Sequence, residues 1–478
     1  MLCAVMQVLF TQSGGIESPA SREFRGVWIA TVANIDWPSR PGLTNAELRS
    51  EMITILDRCE SNNFNAIVFQ IRASGDAFYK STYEPWSWYL TGEQGRAPEG
   101  NWDPLTFVIE EAHDRGLEVH CWFNPYRANH PAQDGALSRR HLAMINPSVV
   151  KTVGDYLWMD PGEKEVQDHS FNVFMDVVER YDVDGIHIDD YFYPYPSYGG
   201  GADFPDDPSW NRYVESGGKL SRADWRRKNV NTFVERVYKG IKERKPWVKF
   251  GISPFGIARA NTPDGVQATF DQYEVLYADA VKWIENGWCD YFTPQLYWPI
   301  EGDQSYRLLL EYWQRHNPKN IHLWPGNIPS NLNRSRNPWQ TKEVTDQIQM
   351  TRDMGAGGNV HFSMKAFTLD YKGVNDALTT GVYKEKALVP ATTWLDDVPP
   401  SAPDCSLNSN NGRLTLSGAT EDARFYAIYA DFGDGATLIK VTSSARKSIS
   451  GLRLSKAVAV WVSLLDLVGN ESPLQRVS

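Results

Sequence analysis

Eight short apolar runs, rich in β-branched and aromatic residues and separated by segments of helical pattern, constrain this chain more than any other feature. In order they are GVWIATV (from Gly26), AIVFQIR (from Ala66), EVHCWFNP (from Glu118), DGIHIDDY (from Asp184), KFGISPF (from Lys249), DYFTPQLYW (from Asp290), IHLWPGNI (from Ile321) and GNVHFSMK (from Gly358). Helices are predicted at NAELRSEMITILDRCESN, DPLTFVIEEAHDRG, KEVQDHSFNVFMDVVERYD, RADWRRKNVNTFVERVYKGIKER and TKEVTDQIQMTRDMG. Several of these end on Gly or Asn, which accept the left-handed conformation that stops a helix. Such alternation predicts parallel strands joined by right-handed crossovers, and closure into a (β/α)8 barrel removes both sheet edges. A doubly wound open sheet is the alternative, but no Gly-rich phosphate-binding turn follows the first run.

Side chains alternate faces along a strand, so the motif DGIHIDDYFYP directs Ile186 and Ile188 under the helices. Gly185, His187, Asp189 and Tyr191 then face the barrel axis, and Asp189 with its neighbour Asp190 stands at the C-terminal end, where barrel enzymes keep their chemistry. The plain alternative is that an Asp after a strand caps a turn or the next helix. The same parity predicts inward polar groups on other strands: Gln70 and Arg72, His120 and Asn124, Ser253, Thr293, Gln295 and Tyr297, and His361, Ser363 and Lys365. The deeper ones, His120, His187 and Thr293, read as groups that satisfy one another inside the barrel. Those at strand ends read as functional.

The chain holds 18 Trp, 22 Tyr and 20 Phe, and many stand in loops after strands. Asp36 and Trp37 follow the first strand; Tyr79, Tyr83, Trp86, Trp88 and Tyr89 the second; Tyr191, Phe192, Tyr193, Tyr195 and Tyr198 the fourth. Sugars lay their apolar faces on such rings while Asp, Asn, Gln and Arg fix the hydroxyls, so the rim predicts a carbohydrate groove, with part of it packing the loops.

Six segments in order, FRGVWIATVANIDWPS, FQIRASGDAFYKSTYEPWSWYLTG, FNPYR, DGIHIDDYFYP, ISPFGI and PQLYWP, resemble the bacterial glycosyl-hydrolase-like family 10 from about Ser21 to Lys384. The resemblance implies a TIM-barrel glycoside hydrolase of the bacterial cell envelope, acting on peptidoglycan glycan strands, especially those stripped of peptides. It implies Asp189 and Asp190 as catalytic residues and Arg72, Asp76, Asn124, Tyr126, Arg127, Gln295 and Tyr297 as site residues. Tyr191, Trp298, Asp36 and Trp86 join the substrate-binding set. DGIHIDDY is also similar to the DGxDxDxE strand of chitinases, but Tyr191 stands where their acid glutamate would be. It is similar to the fourth strand of amylase-type barrels too, yet Ser253 and Gln295 replace the acids those barrels place on later strands.

Glycosidases ordinarily use two carboxyls, about 5–5.5 Å apart when retaining and about 6.5–9.5 Å apart when inverting. Candidates for the second are Asp190, Asp36, Asp76, Glu84, Glu301 and Asp303. A substrate N-acetyl group acting as nucleophile would need only one acid and one orienting carboxylate. The alternative to an enzyme is a non-catalytic glycan-binding barrel.

The 478 residues exceed one barrel. Residues 1–21 read as a signal-peptide remnant or tail, because LCAVMQVLF suits a signal core but lacks a basic leader. Residues 22–385 read as the barrel and 386–402 as a Pro-rich linker, ALVPATTWLDDVPPSAP. Residues 403–478 carry short alternating strands, GRLTLSGA to AVAVWVSLLD, and VWVSLLDLVGNESP resembles a fibronectin type III β-sandwich. A net charge of −11 without a basic stripe opposes nucleic-acid binding. Five scattered cysteines imply neither zinc nor a disulfide framework, and no cofactor or metal is expected. No later apolar run is long enough for a membrane span. A monomeric, exported protein with a polysaccharide partner is the expectation.

Overall fold

The structure, a computed structural model, describes residues 18–477. The apolar run LCAVMQVLF lies outside the described residues. Parallel strands β1 (Phe24–Ile29), β2 (Ala66–Arg72), β3 (Glu118–Phe123), β4 (Gly185–Ile188), β5 (Lys249–Ile252) and β6 (Tyr291–Phe292) pair in sequence order. β7 comes in two halves: His322–Leu323 pairs with β6, and Gly326–Asn327 pairs with β8 (Gly358–His361), which returns to β1. The two ends of the sheet are therefore halves of one strand, and the order closes into a (β/α)8 barrel. Pro325 explains the break, since it has no N–H to give the ladder, and Pro294 likewise ends β6 early.

The predicted helices form as α1 (Asn45–Ser61), α2 (Pro104–Asp114), α3 (Lys164–Arg180), α4 (Arg222–Arg244) and α7 (Thr341–Asp353). Thr44 and Glu47 cap α1 reciprocally, and Asp103 caps α2 before Pro104. The remaining crossovers use α5 (Ala280–Asn286) and a single turn, α8 (Val374–Ala377), both too short to read from sequence, and α6 (Tyr306–Arg315), whose Tyr306, Leu309, Leu310 and Trp313 stripe was legible but not picked out. After β3 the chain inserts an antiparallel three-stranded sheet, Arg127–Asn129, Val150–Val153 and Tyr156–Met159, also unforeseen.

One apolar layer lies between strands and helices, and a second fills the barrel interior with Phe24, Trp28, Val68, Trp122, Tyr291, Trp324 and Val360. Phe24 stacks on Trp324 with ring centroids 3.7 Å apart, and Tyr291 on Trp324 at 4.9 Å. Rings of this size fit because the facing residues are glycines: a Cβ on Gly251 would lie 1.8 Å from the Tyr291 ring and one on Gly185 2.4 Å from His120.

The compact unit carrying the barrel runs from Ser21 to Asp397 and includes Leu467–Gly469. This moves the expected boundary at residue 385, because Ala387–Leu388 pairs in parallel with Ser21–Arg22 and Trp394 donates from its indole nitrogen to Asp290. The second unit contains an antiparallel three-stranded sheet and an antiparallel four-stranded sheet whose inner faces share one apolar core around Leu414, Ile428 and Val462.

Candidate active site

Asp189 and Asp190 leave the C-terminal end of β4 and line a cavity of ≈ 180 Å³. That is below the roughly 300–1,000 Å³ of sites that enclose a drug-sized ligand, and it suits one sugar unit. The two side chains turn to different neighbours. Asp189 Oδ2 accepts from Trp122 Nε1 at 3.0 Å and from Asn124 Nδ2 at 2.6 Å. Asp190 accepts from Gln295 Nε2 at 3.1 Å and from the Tyr195 hydroxyl.

The orientation of Asn124 follows from its partners. Gln70 Oε1 accepts the backbone N–H groups of Thr31 and Val32, each at 2.9 Å, so its Nε2 must donate, and it does so to Asn124 Oδ1 at 2.6 Å. Arg127 Nη2 donates to the same oxygen at 2.8 Å. With Oδ1 so occupied, Asn124 can present only its Nδ2 to Asp189. Arg127 is itself fixed by the Ala73 carbonyl at 2.8 Å and lies over the Tyr191 ring, 5.1 Å from its centroid.

Burial, and then the charge of Asp190, push the Asp189 carboxyl up to about 7 against the pull of Arg127 and Asn124. Burial also raises Asp190, partly offset by Tyr195 and Gln295. The charge of Asp190 bears on Asp189, so the two titrate as a coupled pair in which the Asp189 carboxyl holds a proton up to about pH 7. That arrangement offers an acid and a carboxylate side by side. Tyr297, lining the same cavity, is raised well above the ordinary phenol range by burial and by Asp190 and Asp189, so it stays an O–H donor.

Below the cavity a polarised chain runs through the barrel. Trp28 Nε1 can only donate, and its partner is His187 Nε2 at 3.3 Å, which leaves the proton of His187 on Nδ1. His187 Nδ1 then donates to the Tyr291 oxygen at 3.0 Å, the Tyr291 hydroxyl to His120 Nδ1 at 2.8 Å, and His120 Nε2 to Glu118 at 3.0 Å. Burial holds His187 well below the ordinary imidazole range, in keeping with this neutral tautomer. Burial raises Glu118, but Lys249 at 2.9 Å and His120 overcome it and hold the carboxyl below its usual value. The chain anchors the indole of Trp28, which forms part of the cavity wall.

The structure sorts the sequence-predicted residues. Arg127, Tyr191, Gln295 and Tyr297 line the cavity with both acids, and Asn124 grips Asp189. Arg72 does not line it. A bulge between Gln70 and Arg72 turns the guanidinium away, to pair with Glu84 at 2.6 and 2.8 Å and to hold the Asn124 carbonyl at 2.6 Å. Tyr126 points beneath the helices, its ring 5.4 Å from Phe233 of α4. Asp76 is buried, accepts from Ser74 N at 3.1 Å, and is raised by that burial. Asp36 staples the loop after β1, accepting from Ala30 N, Ser363 Oγ and Lys365 N, each at 2.7 Å. Trp298 packs edge-on to Phe255, and Trp86 is half-buried against the outer core. The inward parity expected for His361, Ser363 and Lys365 was one residue out of step: Val360 and Phe362 face the axis, while His361 lies under the helices bonded to Tyr383. Polarity misled there, because a histidine paired with a buried tyrosine satisfies the strand–helix layer. Much of the aromatic rim is core as well, with Trp37, Tyr79, Tyr89, Phe192 and Tyr193 fully buried or nearly so. Trp28, Trp122 and Phe362 were missed as wall residues. Trp122 was legible, since it shares the parity of His120 and Asn124.

Residues 23–340 match the family described as glycosyl hydrolase-like 10. The chain belongs to that family. It is 40% identical over 428 residues to "Glycosyl hydrolase YngK" of Bacillus subtilis (strain 168), covering 86% of this chain and 83% of the relative. It is 36% identical over 330 residues to "Glycosyl hydrolase DigH" of Escherichia coli (strain K12), covering 64% of this chain and 74% of the relative. The fold is similar to that of the PgaB (BpsB) glycoside hydrolase domain from Bordetella bronchiseptica, with a TM-score of 0.51 and 11% identity over 75% of this chain and 98% of the other. Family membership places the protein among the glycosyl hydrolases.

Proposed function

We propose that the protein hydrolyses O-glycosidic bonds in a bacterial cell-envelope polysaccharide, the amino-sugar glycan strands of peptidoglycan, with Asp189 and Asp190 as its catalytic carboxylates. The observation that carries this reading is the buried pair itself: two adjacent carboxyls, both raised by burial, at the C-terminal mouth of the barrel, in an aromatic cavity sized for one sugar. The family and its relatives named as glycosyl hydrolases support it. The net charge of −11 without a basic stripe opposes a nucleic-acid partner. Export to the envelope, a monomeric state and a fibronectin type III-like C-terminal unit belong to the same proposal. The strand order of that unit, three strands in one sheet and four in the other, fits such a module.

The test is incubation with purified peptidoglycan, intact or stripped of peptides, followed by mass spectrometry of the soluble fragments. Release of muropeptide-free saccharides, faster from stripped strands, is the expected result. Binding to the strands with no fragment released would instead make this a glycan-binding barrel.

A further inference from the structure

We infer, resting on the glycosidase reading above, that the sugar bound in the cavity carries a 2-acetamido group and that this group serves as the nucleophile. A glycosidase working through two carboxyls sets them on two sides of the scissile bond. Here both acids are consecutive residues just beyond one strand, β4. Facing them across the barrel are Trp28 of β1, Ala30 just beyond β1 and Phe362 just beyond β8, apolar groups that suit a methyl and repel an anion.

None of the other carboxylates that the sequence offered lines the cavity. Asp36 is held by three donors, Glu84 is paired with Arg72 and with His169 at 2.8 Å, and Asp76 is buried beside Ser74. Glu301 and Asp303 are exposed, outside the cavity lining. An acetamido group answers both features of the site. Its methyl fits the apolar wall, its N–H can donate to the ionised member of the acid pair, and its carbonyl oxygen can receive the Tyr297 hydroxyl.

The chemistry balances without another protein group. The acetamido oxygen bonds to C1 as the bond from C1 to the leaving oxygen breaks. The protonated carboxyl gives its proton to that oxygen, and the amide proton passes to the other carboxyl, leaving a neutral oxazoline. Water then adds at C1 and returns one proton to the first carboxylate. The oxazoline C1–O bond breaks as the nitrogen recovers its proton from the second. The sum is one glycosidic bond plus one water, and two inversions at C1 retain its configuration.

The test follows the anomer first released from stripped glycan strands by NMR and adds the thiazolines of N-acetylglucosamine and N-acetylmuramic acid, stable mimics of the oxazoline. Retention, with at least one thiazoline inhibiting 10²-fold more tightly than its parent sugar, is expected. Inversion, or retention with neither thiazoline binding better than the free sugar, overturns the inference while leaving the glycosidase reading intact. Failure to cut any glycan overturns both.

Discussion

At the residue scale, the acid pair is held in place by groups whose own roles are forced. Gln70 must donate to Asn124 and Asn124 to Asp189, so the carboxyl position is built up from the loop after β1. Asp189→Asn and Asp190→Asn keep the shape and remove the charge, and each should lower turnover by at least about 10²-fold. The stability signs are opposite to those of a structural carboxylate. A group raised to about 7 in the folded state contributes stability that is complete below its unfolded value near 3.8 and is lost as the pH rises through about 7. Asp189→Asn should therefore match the parent protein at pH 4 and exceed it at pH 8 by about 1–2 kcal/mol, measured by chemical denaturation. If the variant is less stable at pH 8 and still active, the carboxyl serves packing alone. Glu84 has the reverse sign. Burial raises it, but Arg72 and His169 prevail and bring it to about 2. Its stabilisation, about 3 kcal/mol, is present above its unfolded value near 4.5 and lost as the pH falls through about 2. Glu84→Gln should cost about 3–5 kcal/mol at pH 7 by stranding the buried Arg72 charge, with kcat/KM measured on the folded fraction reduced less than tenfold.

At the element scale, the strands determine more than the helices. Inward glycines on β4 and β5 let aromatic rings cross the barrel axis, and Tyr291 in turn ties β3, β4 and β6 through His120 and His187. Gly251→Ala would drive a methyl into the Tyr291 ring. The expected cost is at least about 1–3 kcal/mol of stability, together with loss of the hydrogen bonds that end on Trp28, visible as a shift in tryptophan fluorescence. An unshifted spectrum with normal stability would mean that the ring has room to move. Strand parity was read correctly for β3, β4, β5 and β6, where the apolar set is plainly one-sided. It failed at β8, whose GNVHFS alternation puts its polar members outward, and at Arg72, where a single-residue bulge reverses the face.

At the scale of the whole molecule, the barrel unit contains all eight strands, both acids and the cavity, and ends at Asp397 apart from Leu467–Gly469. A chain ending at Asp397 should keep its cleavage of a short soluble glycan within tenfold of the full protein. It gives up the backbone bond from Thr392 to Val468 at 2.8 Å and the bond from Arg22 to Gly469 at 2.7 Å, a loss of about 1–3 kcal/mol by thermal denaturation. A folded, soluble but inactive product would show that residues beyond Asp397 serve the site. The eightfold strand–helix alternation, the six motifs and the position of the two acids were determined by the sequence alone, because period, turn chemistry and residue type are local properties. Which polar residues meet in the cavity was decided only by the tertiary structure. A bulge in β2 and the aromatic filling of the barrel set the facing of Arg72 and Trp28, and Tyr126 packs on Phe233; each depends on a partner more than 40 residues away along the chain, where no local pattern reaches.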